Sequence, residues 1–353
     1  MNYKKKIKII RSDFFFLKNL INGKKIIYLD NAATTQKPIC VINSINSYYK
    51  FFCSNINRGS NFLSDFCYKK IELSRESVKN FINAKTYKEI IFTSGSTEAV
   101  SLLSNFFNEF LKDGDNIIIS DFEHHSNIAP WHLLCKNKNV FIRFINSNIC
   151  GNIFKEKFNE CFDKKTKLVI ISHVSNSLGY IIPIEYITKE THSNGSYLIL
   201  DCSQSVAHLK IDVSLLNIDF LFFSSHKIYS ATGVGVLYIR NDLNINRHFF
   251  KLGGGSINSL YFNKILLKRV PYKNESGTQN ISNIFCLSSA LEYLKNIGFD
   301  FISYHNNLLM TRLFNELSNF NFIKILGNNI ESKIGLLSFS LNNIHPHDFS
   351  NLA

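Results

Sequence analysis

Between Glu89 and Arg240 the chain repeats one unit, a short unbroken apolar run followed by a longer stretch of helical pattern, and this repetition leaves few folds open. The runs are Ile90 to Thr93, Asn116 to Ser120, Val140 to Ile145, Leu168 to Ser172, Tyr197 to Leu200, Ile218 to Phe223 and Gly235 to Ile239. Being continuous rather than alternating, they read as strands buried on both faces, which implies a mostly parallel sheet covered by helices. In such α/β sheets a ligand sits beyond the carboxyl ends of the strands. Ser94, His124, His173, Asp201 and Ser224 all follow expected strand ends and are therefore the first candidates for a site.

From about Ile281 the pattern changes to two long amphipathic helices, roughly Ile281 to Ile297 and Phe299 to Phe320. Strands near Phe322 to Leu326 and Gly335 to Leu341 follow, and His347-Asp348-Phe349-Ser350 opens a further helix. This reads as a smaller α+β domain. At 353 residues the chain exceeds the usual size of one domain, which agrees with a large domain plus a small one.

Hydrophobic residues at 45% and charged residues at 19% describe a globular protein rather than a disordered one. The net charge of +13 would suit nucleic acid or an acidic surface, but apart from Lys4-Lys5-Lys6 and Lys8 the lysines are scattered. No nucleic-acid reader motif accompanies them, so no nucleic-acid partner is expected. Abundant Phe (32) beside few Gly (16) and Pro (5) fits drift toward AT-rich codons, which further weakens the charge as evidence. An anionic cofactor or an acidic partner protein suits it equally. The eight cysteines show no Cys-x-x-Cys and no zinc spacing, and read as reduced thiols of a cytoplasmic protein. Phe14 to Leu17 is too short for a signal peptide, and no run reaches the roughly 18 apolar residues of a membrane helix.

Ser224-Ser225-His226-Lys227 follows one apolar strand and Asp201 ends another. A lysine so placed can form a Schiff base with an aldehyde cofactor whose phosphate the adjacent hydroxyl and imidazole donors hold, and pyridoxal 5′-phosphate (PLP) fits this description. The Asp201 carboxylate can then pair with the protonated pyridine nitrogen and make the ring an electron sink. Ser94-Gly95-Ser96-Thr97-Glu98 opens a helix running to about Phe110. It reads either as a phosphate site built from backbone N–H groups with the Ser96 and Thr97 hydroxyls, or as a capping box through Glu98. His124, in Glu123-His124-His125-Ser126-Asn127, can stack on the ring and exchange protons, or is a solvated loop histidine. Asn176 and Gln204 can donate to the phenolic oxygen, with Asn176 alternatively near the substrate; turn chemistry and surface polarity are the simpler accounts. Gly253-Gly254-Gly255-Ser256 reads as a flexible loop, and Thr278 offers a hydroxyl whose target, its own phosphate or a neighbour's, spacing leaves open.

Taken together these segments resemble the class V, fold-type I PLP enzymes, and most closely the SufS-type cysteine desulfurases. The resemblance runs in order through Tyr28 to Ala33, Asn55 to Gly59 with Leu63-Ser64, Ser96 to Glu98, Glu123 through Trp131, and His173 to Asn176. It continues through Asp201 with Gln204, Ser224 to Lys227, Thr232 to Gly235, Gly253 to Ser256 and Glu275 to Thr278. It implies an N-terminal segment, residues 1–27, that packs with the small domain, a large PLP-binding α/β domain, 28–270, and a small domain, 271–353. It implies that Lys227 binds PLP covalently and moves the substrate's α-proton, that Asp201 pairs with the pyridine nitrogen, and that Gln204 contacts the phenolic oxygen. His124 would stack on the ring. Thr97, Ser96, Ser224 and His226 would hold the phosphate, Thr278 would do so across a homodimer interface, and Asn176 would sit near the substrate carboxylate. The implied reaction converts L-cysteine to L-alanine and delivers persulfide sulfur, through a sulfur-acceptor protein of the Suf system, to iron–sulfur cluster assembly.

Several positions depart from the pattern: Asn57 for His, Ser225 for Gly, Ser230-Ala231 for Gly-Pro and Gln279 for Pro. An Arg-x-Gly-x-x-Cys segment and a later arginine would be expected beyond Ala353, so the small domain is expected to be incomplete, with exposed apolar faces that favour aggregation. Selenocysteine lyase, or a PLP-binding dimer partner or decaying gene product without turnover, are the alternatives.

Overall fold

The computed structural model describes residues 2–56, 59–145, 152–243, 252–327 and 332–352. Asn57 and Arg58 of the expected motif, Cys150 and the terminal Ala353 lie outside the described residues. Seven strands form the central sheet: β1 Ile90–Thr93, β2 Asn116–Ser120, β3 Phe141–Ile145, β4 Thr166–Ser172, β5 Tyr197–Asp201, β6 Phe220–Ser224 and β7 Gly235–Ile239. Their order is β1-β7-β6-β5-β4-β2-β3. All neighbours are parallel except β7, which runs antiparallel to both β1 and β6.

The helices are α1 Tyr3–Ser12, α2 Ile39–Ser47, α3 Phe62–Phe81, α4 Ser96–Phe110, α5 Ala129–Lys138, α6 Asn152–Glu160, α7 Ile184–Ser193, α8 Ile281–Ile297, α9 Phe299–Ser318 and α10 Pro346–Leu352. Successive side chains of a strand leave the sheet on opposite faces, so an unbroken apolar run feeds two cores at once. Ile90, Phe92, Val169, Ile171, Leu198, Leu200, Leu221 and Phe223 enter one core, which also contains residues of α3, α7 and α8. Ile91, Leu168, Ile170, Ile199, Phe220 and Phe222 enter the other, with residues of α4 and α5.

One strand departs from the expected burial on both faces. β3 is the sheet edge, with Phe141 58% and Phe144 50% exposed, and its Arg143 reaches the Cys161 carbonyl and the Asp163 carboxylate. An arginine within an apolar run marks a strand with only one neighbour to pair with.

Beyond the sheet, α8 and α9 lead into an antiparallel pair, Ile323–Leu326 with Ser338–Leu341. α1 lies on α9: the Tyr3 hydroxyl meets His305 Nδ1 at 2.6 Å, and the Tyr3 ring packs edge-on against Tyr304. Lys6 donates to the Ile297 carbonyl at 2.8 Å. Among the described residues no helix is long and apolar enough to cross a membrane.

Candidate active site

β4, β5 and β6 end side by side, and the chain leaves each through a polar turn: Ser172-His173 from β4, Asp201-Cys202-Ser203-Gln204 from β5, Ser224-Ser225-His226-Lys227 from β6. β7 completes this edge from the opposite direction, with Gly235 beside Ser224. A Cβ on Gly235 would lie 2.6 Å from the Gly95 backbone, so only glycine lets the start of α4 settle onto β7.

These turns enclose a cavity of about 470 Å³. Lys227, Asp201, Gln204, His124, Ser96, Thr97, Ser224, His226 and Asn176 all line it. Thr278 does not; it is exposed on a separate loop. Asp30, Ser126, Ser172 and Ser203 also line the cavity, and no role was expected of them. The signal for Ser172 and Ser203 was position, since each sits at or just past the end of a strand that carries a candidate.

At the N-terminus of α4 three hydroxyls converge. Ser96 Oγ lies 2.9 Å from Ser203 Oγ and 2.8 Å from Ser224 Oγ, and the Ser96 N–H donates to Ser224 Oγ at 2.8 Å. Hydroxyls aimed together at a helix start form an anion site. Of the capping box only the glutamate half is present: Glu98 accepts the Ser94 N–H at 2.6 Å, while the N-cap is Gly95, which has no side chain to cap with. This bond leaves the hydroxyl cluster free of Glu98.

Asp201 is buried and accepts the Ser203 N–H at 2.7 Å. Burial raises its pKa, against the Ser203 hydrogen bonds and the charges of Lys227 and His124. Burial likewise lowers the pKa of Lys227, against the pull of Asp201. Desolvation therefore outweighs attraction at both groups and moves each toward its neutral form, which for Lys227 is the nucleophilic one. His124 accepts the Ser126 N–H at Nδ1, 3.2 Å, which puts the proton of the neutral ring on Nε2. Gln204 spends one amide N–H on the Ala32 carbonyl at 2.8 Å and retains the other. Ser225, in place of the expected glycine, is fully buried. Its hydroxyl lies 2.8 Å from the Val234 carbonyl and also reaches that of Ala231, stitching the lysine turn to the following loop.

The Glu123-His124-His125 pattern points to the histidines, yet Glu123 is the residue that holds the site together. Its buried carboxylate accepts the Ser172 N–H at 2.7 Å, the Ser172 hydroxyl at 2.5 Å, the Asn127 amide at 2.7 Å and the Ser120 hydroxyl. The His124 loop is thereby bolted to β4. Burial pushes the Glu123 carboxyl up to about 7, helped by Asp201, while the hydrogen bonds from Ser120 and Ser172 oppose the rise. A raised carboxyl binds its proton more tightly in the folded state, so its stabilising share is present below the unfolded value and lost as pH rises through about 7. Wild-type stability relative to Glu123→Gln is expected to fall by a few kcal/mol, about 1.4 per pKa unit, between pH 4.5 and 8. Denaturant melts of both proteins across that range check it; a flat difference would mean that the donors keep Glu123 ionised throughout.

The donor set suits a phosphorylated pyridine aldehyde: a desolvated amine, a buried carboxylate and a hydroxyl cluster at a helix start, in one cavity. Residues 27–353 match the aminotransferase class-V family. The chain belongs to that family. A probable cysteine desulfurase of Borreliella burgdorferi is 38% identical over 349 residues, 97% of this chain and 83% of that protein. One from Staphylococcus aureus strain COL is 36% identical over 337 residues, covering 95% and 82%. Among solved structures, the apo cysteine desulfurase of Thermococcus onnurineus NA1 superimposes with a TM-score of 0.91 at 31% identity, covering 98% of this chain and 84% of that one. The Escherichia coli cysteine desulfurase CsdA gives 0.87 at 26%, covering 100% and 86%. The architecture of this family member is that of a fold-type I PLP-dependent transferase, and PLP is its cofactor.

Proposed function

We propose that this chain is a SufS-type cysteine desulfurase, acting as a cytoplasmic homodimer. It would convert L-cysteine to L-alanine and pass the sulfur as a persulfide to an acceptor protein of the Suf system for iron–sulfur cluster assembly. The observation that carries the reading is the pairing of β5 with β6, which delivers Asp201 and Lys227 to one cavity with His124 and Asn176. The relatives named as cysteine desulfurases support the substrate.

Ser96, Thr97, Ser224 and His226 would hold the phosphate, Asp201 the pyridine nitrogen and Gln204 the phenolic oxygen, with His124 against the ring. Thr278, exposed and outside the cavity, would reach the phosphate of a second copy. Bound PLP supplies an electron sink that acidifies the substrate Cα proton. Lys227 Nζ takes that proton and returns it, and Asn176 orients the substrate carboxylate. The C–S bond of cysteine breaks, its sulfur passes to an acceptor thiolate, and Cβ gains a proton to give alanine; the exchange is redox-neutral. No cysteine is among the described residues lining the cavity, so the assay supplies the acceptor as dithiothreitol. Protein with PLP, L-cysteine and dithiothreitol is expected to yield alanine and sulfide in equal amounts. A cofactor absorbance band that L-cysteine leaves unchanged, with no alanine formed, would overturn the reading.

A further inference from the structure

The backbone carbonyl of His226, which immediately precedes Lys227, gathers four donors. They are the Thr35 hydroxyl at 2.9 Å, the Thr35 N–H at 3.1 Å, the Lys37 ammonium at 3.1 Å and the Thr34 hydroxyl at 3.4 Å. A carbonyl oxygen offers two lone pairs, so this is a crowded acceptor, and one of its donors is charged. Thr35 Oγ also accepts the Tyr229 N–H at 2.9 Å. Tyr229 sits at φ +66°, the left-handed region, where a residue with a side chain costs about 1–2 kcal/mol. The segment from Thr34 to Lys37 thus grips the lysine turn on both sides of Lys227.

Lys37 is half-buried, and its ammonium also donates to the Thr35 carbonyl. Burial lowers its pKa to about 8, opposed by the Cys286 thiol of α8. The His226 ring, whose Nδ1 lies 3.2 Å from Thr34 Oγ1, lines the cavity. Burial and then the charges of Lys227 and Lys37 lower its pKa. Lys37 does not line the cavity, so it acts on the site only through His226 and Lys227.

We propose that Lys37 is a positioning residue: its ammonium anchors the His226 carbonyl and so aims Lys227 into the cavity. This rests on Lys227 being the cofactor lysine. The test compares wild type with Lys37→Met, Lys37→Gln and Lys37→Arg. Borohydride reduction of wild type with PLP, followed by peptide mapping, must place the cofactor on Lys227; failure there overturns the functional reading and this inference with it. Given that label, Lys37→Met or Lys37→Gln is expected to weaken PLP binding about tenfold, as for loss of a charged hydrogen bond. Either change is also expected to raise the His226 titration midpoint, followed by NMR of histidine-labelled apoprotein. Lys37→Arg, which keeps charge and donors, is expected to stay near wild type in both. PLP affinity and a His226 titration unchanged in whichever neutral variant folds would overturn the inference, even if that variant melts earlier.

Discussion

Lys227→Ala is expected to lower alanine formation by about 10³-fold or more, the scale on which a positioned acid–base group contributes to a rate. It is also expected to abolish the borohydride-stable attachment of PLP. Two roles meet in this one side chain. On the proposed reading its amine, whose pKa burial lowers, would hold the cofactor aldehyde, and the same nitrogen would carry the substrate's α-proton. No other lysine lines the cavity among the described residues, so none is placed to replace it. PLP is still expected to bind the variant noncovalently, because Asp201 and the Ser96–Ser203–Ser224 hydroxyls are untouched. Turnover by Lys227→Ala within tenfold of wild type would remove Lys227 from the mechanism.

Arg75→Ala is expected to destabilise the fold by about 3–5 kcal/mol, the cost of stranding one partner of a buried ion pair. Arg75 and Glu275 are both buried and meet in a fork, Nη1 to Oε1 at 2.6 Å and Nη2 to Oε2 at 2.9 Å. Arg75 also donates to the Ile90 carbonyl at 2.9 Å, and Glu275 accepts the Phe92 N–H at 2.7 Å. The pair therefore ties α3, β1 and the loop that carries Thr278 to one point. The Arg75 guanidinium lies 4.7 Å from the centre of the Phe92 ring, which adds contact that alanine also forfeits. Glu275→Ala should cost somewhat less, since it strips the guanidinium of its fork but leaves it Glu72, 3.4 Å away. Replacing both residues with apolar ones should cost less than either single change, because no charge is left stranded. Urea unfolding of the four proteins measures this cycle; single variants within 1 kcal/mol of wild type would show the pair to be dispensable.

Much of the site was legible in the sequence because strand ends are legible. Unbroken apolar runs located the strands to within a residue or two, and an α/β sheet delivers its chemistry just past their carboxyl ends, so Asp201, Ser224 and Lys227 could be placed without coordinates. Ser96 and Thr97 followed from the strand–glycine–helix pattern. The edge position of β3 was less accessible, since an unbroken run does not say how many neighbours its strand will have; only Arg143 hinted at it.

The order of residues fixes local features: which segments are strands, where they end, and which reactive side chains stand at those ends. It does so because backbone periodicity and turn chemistry act over a few residues. The tertiary structure alone decided the pairings that join distant segments: Arg75 with Glu275, Lys37 and Thr35 with the His226 carbonyl, and Glu123 with Ser172. A buried carboxylate, ammonium or carbonyl must find a partner wherever packing places one, and separation along the chain carries no record of that choice.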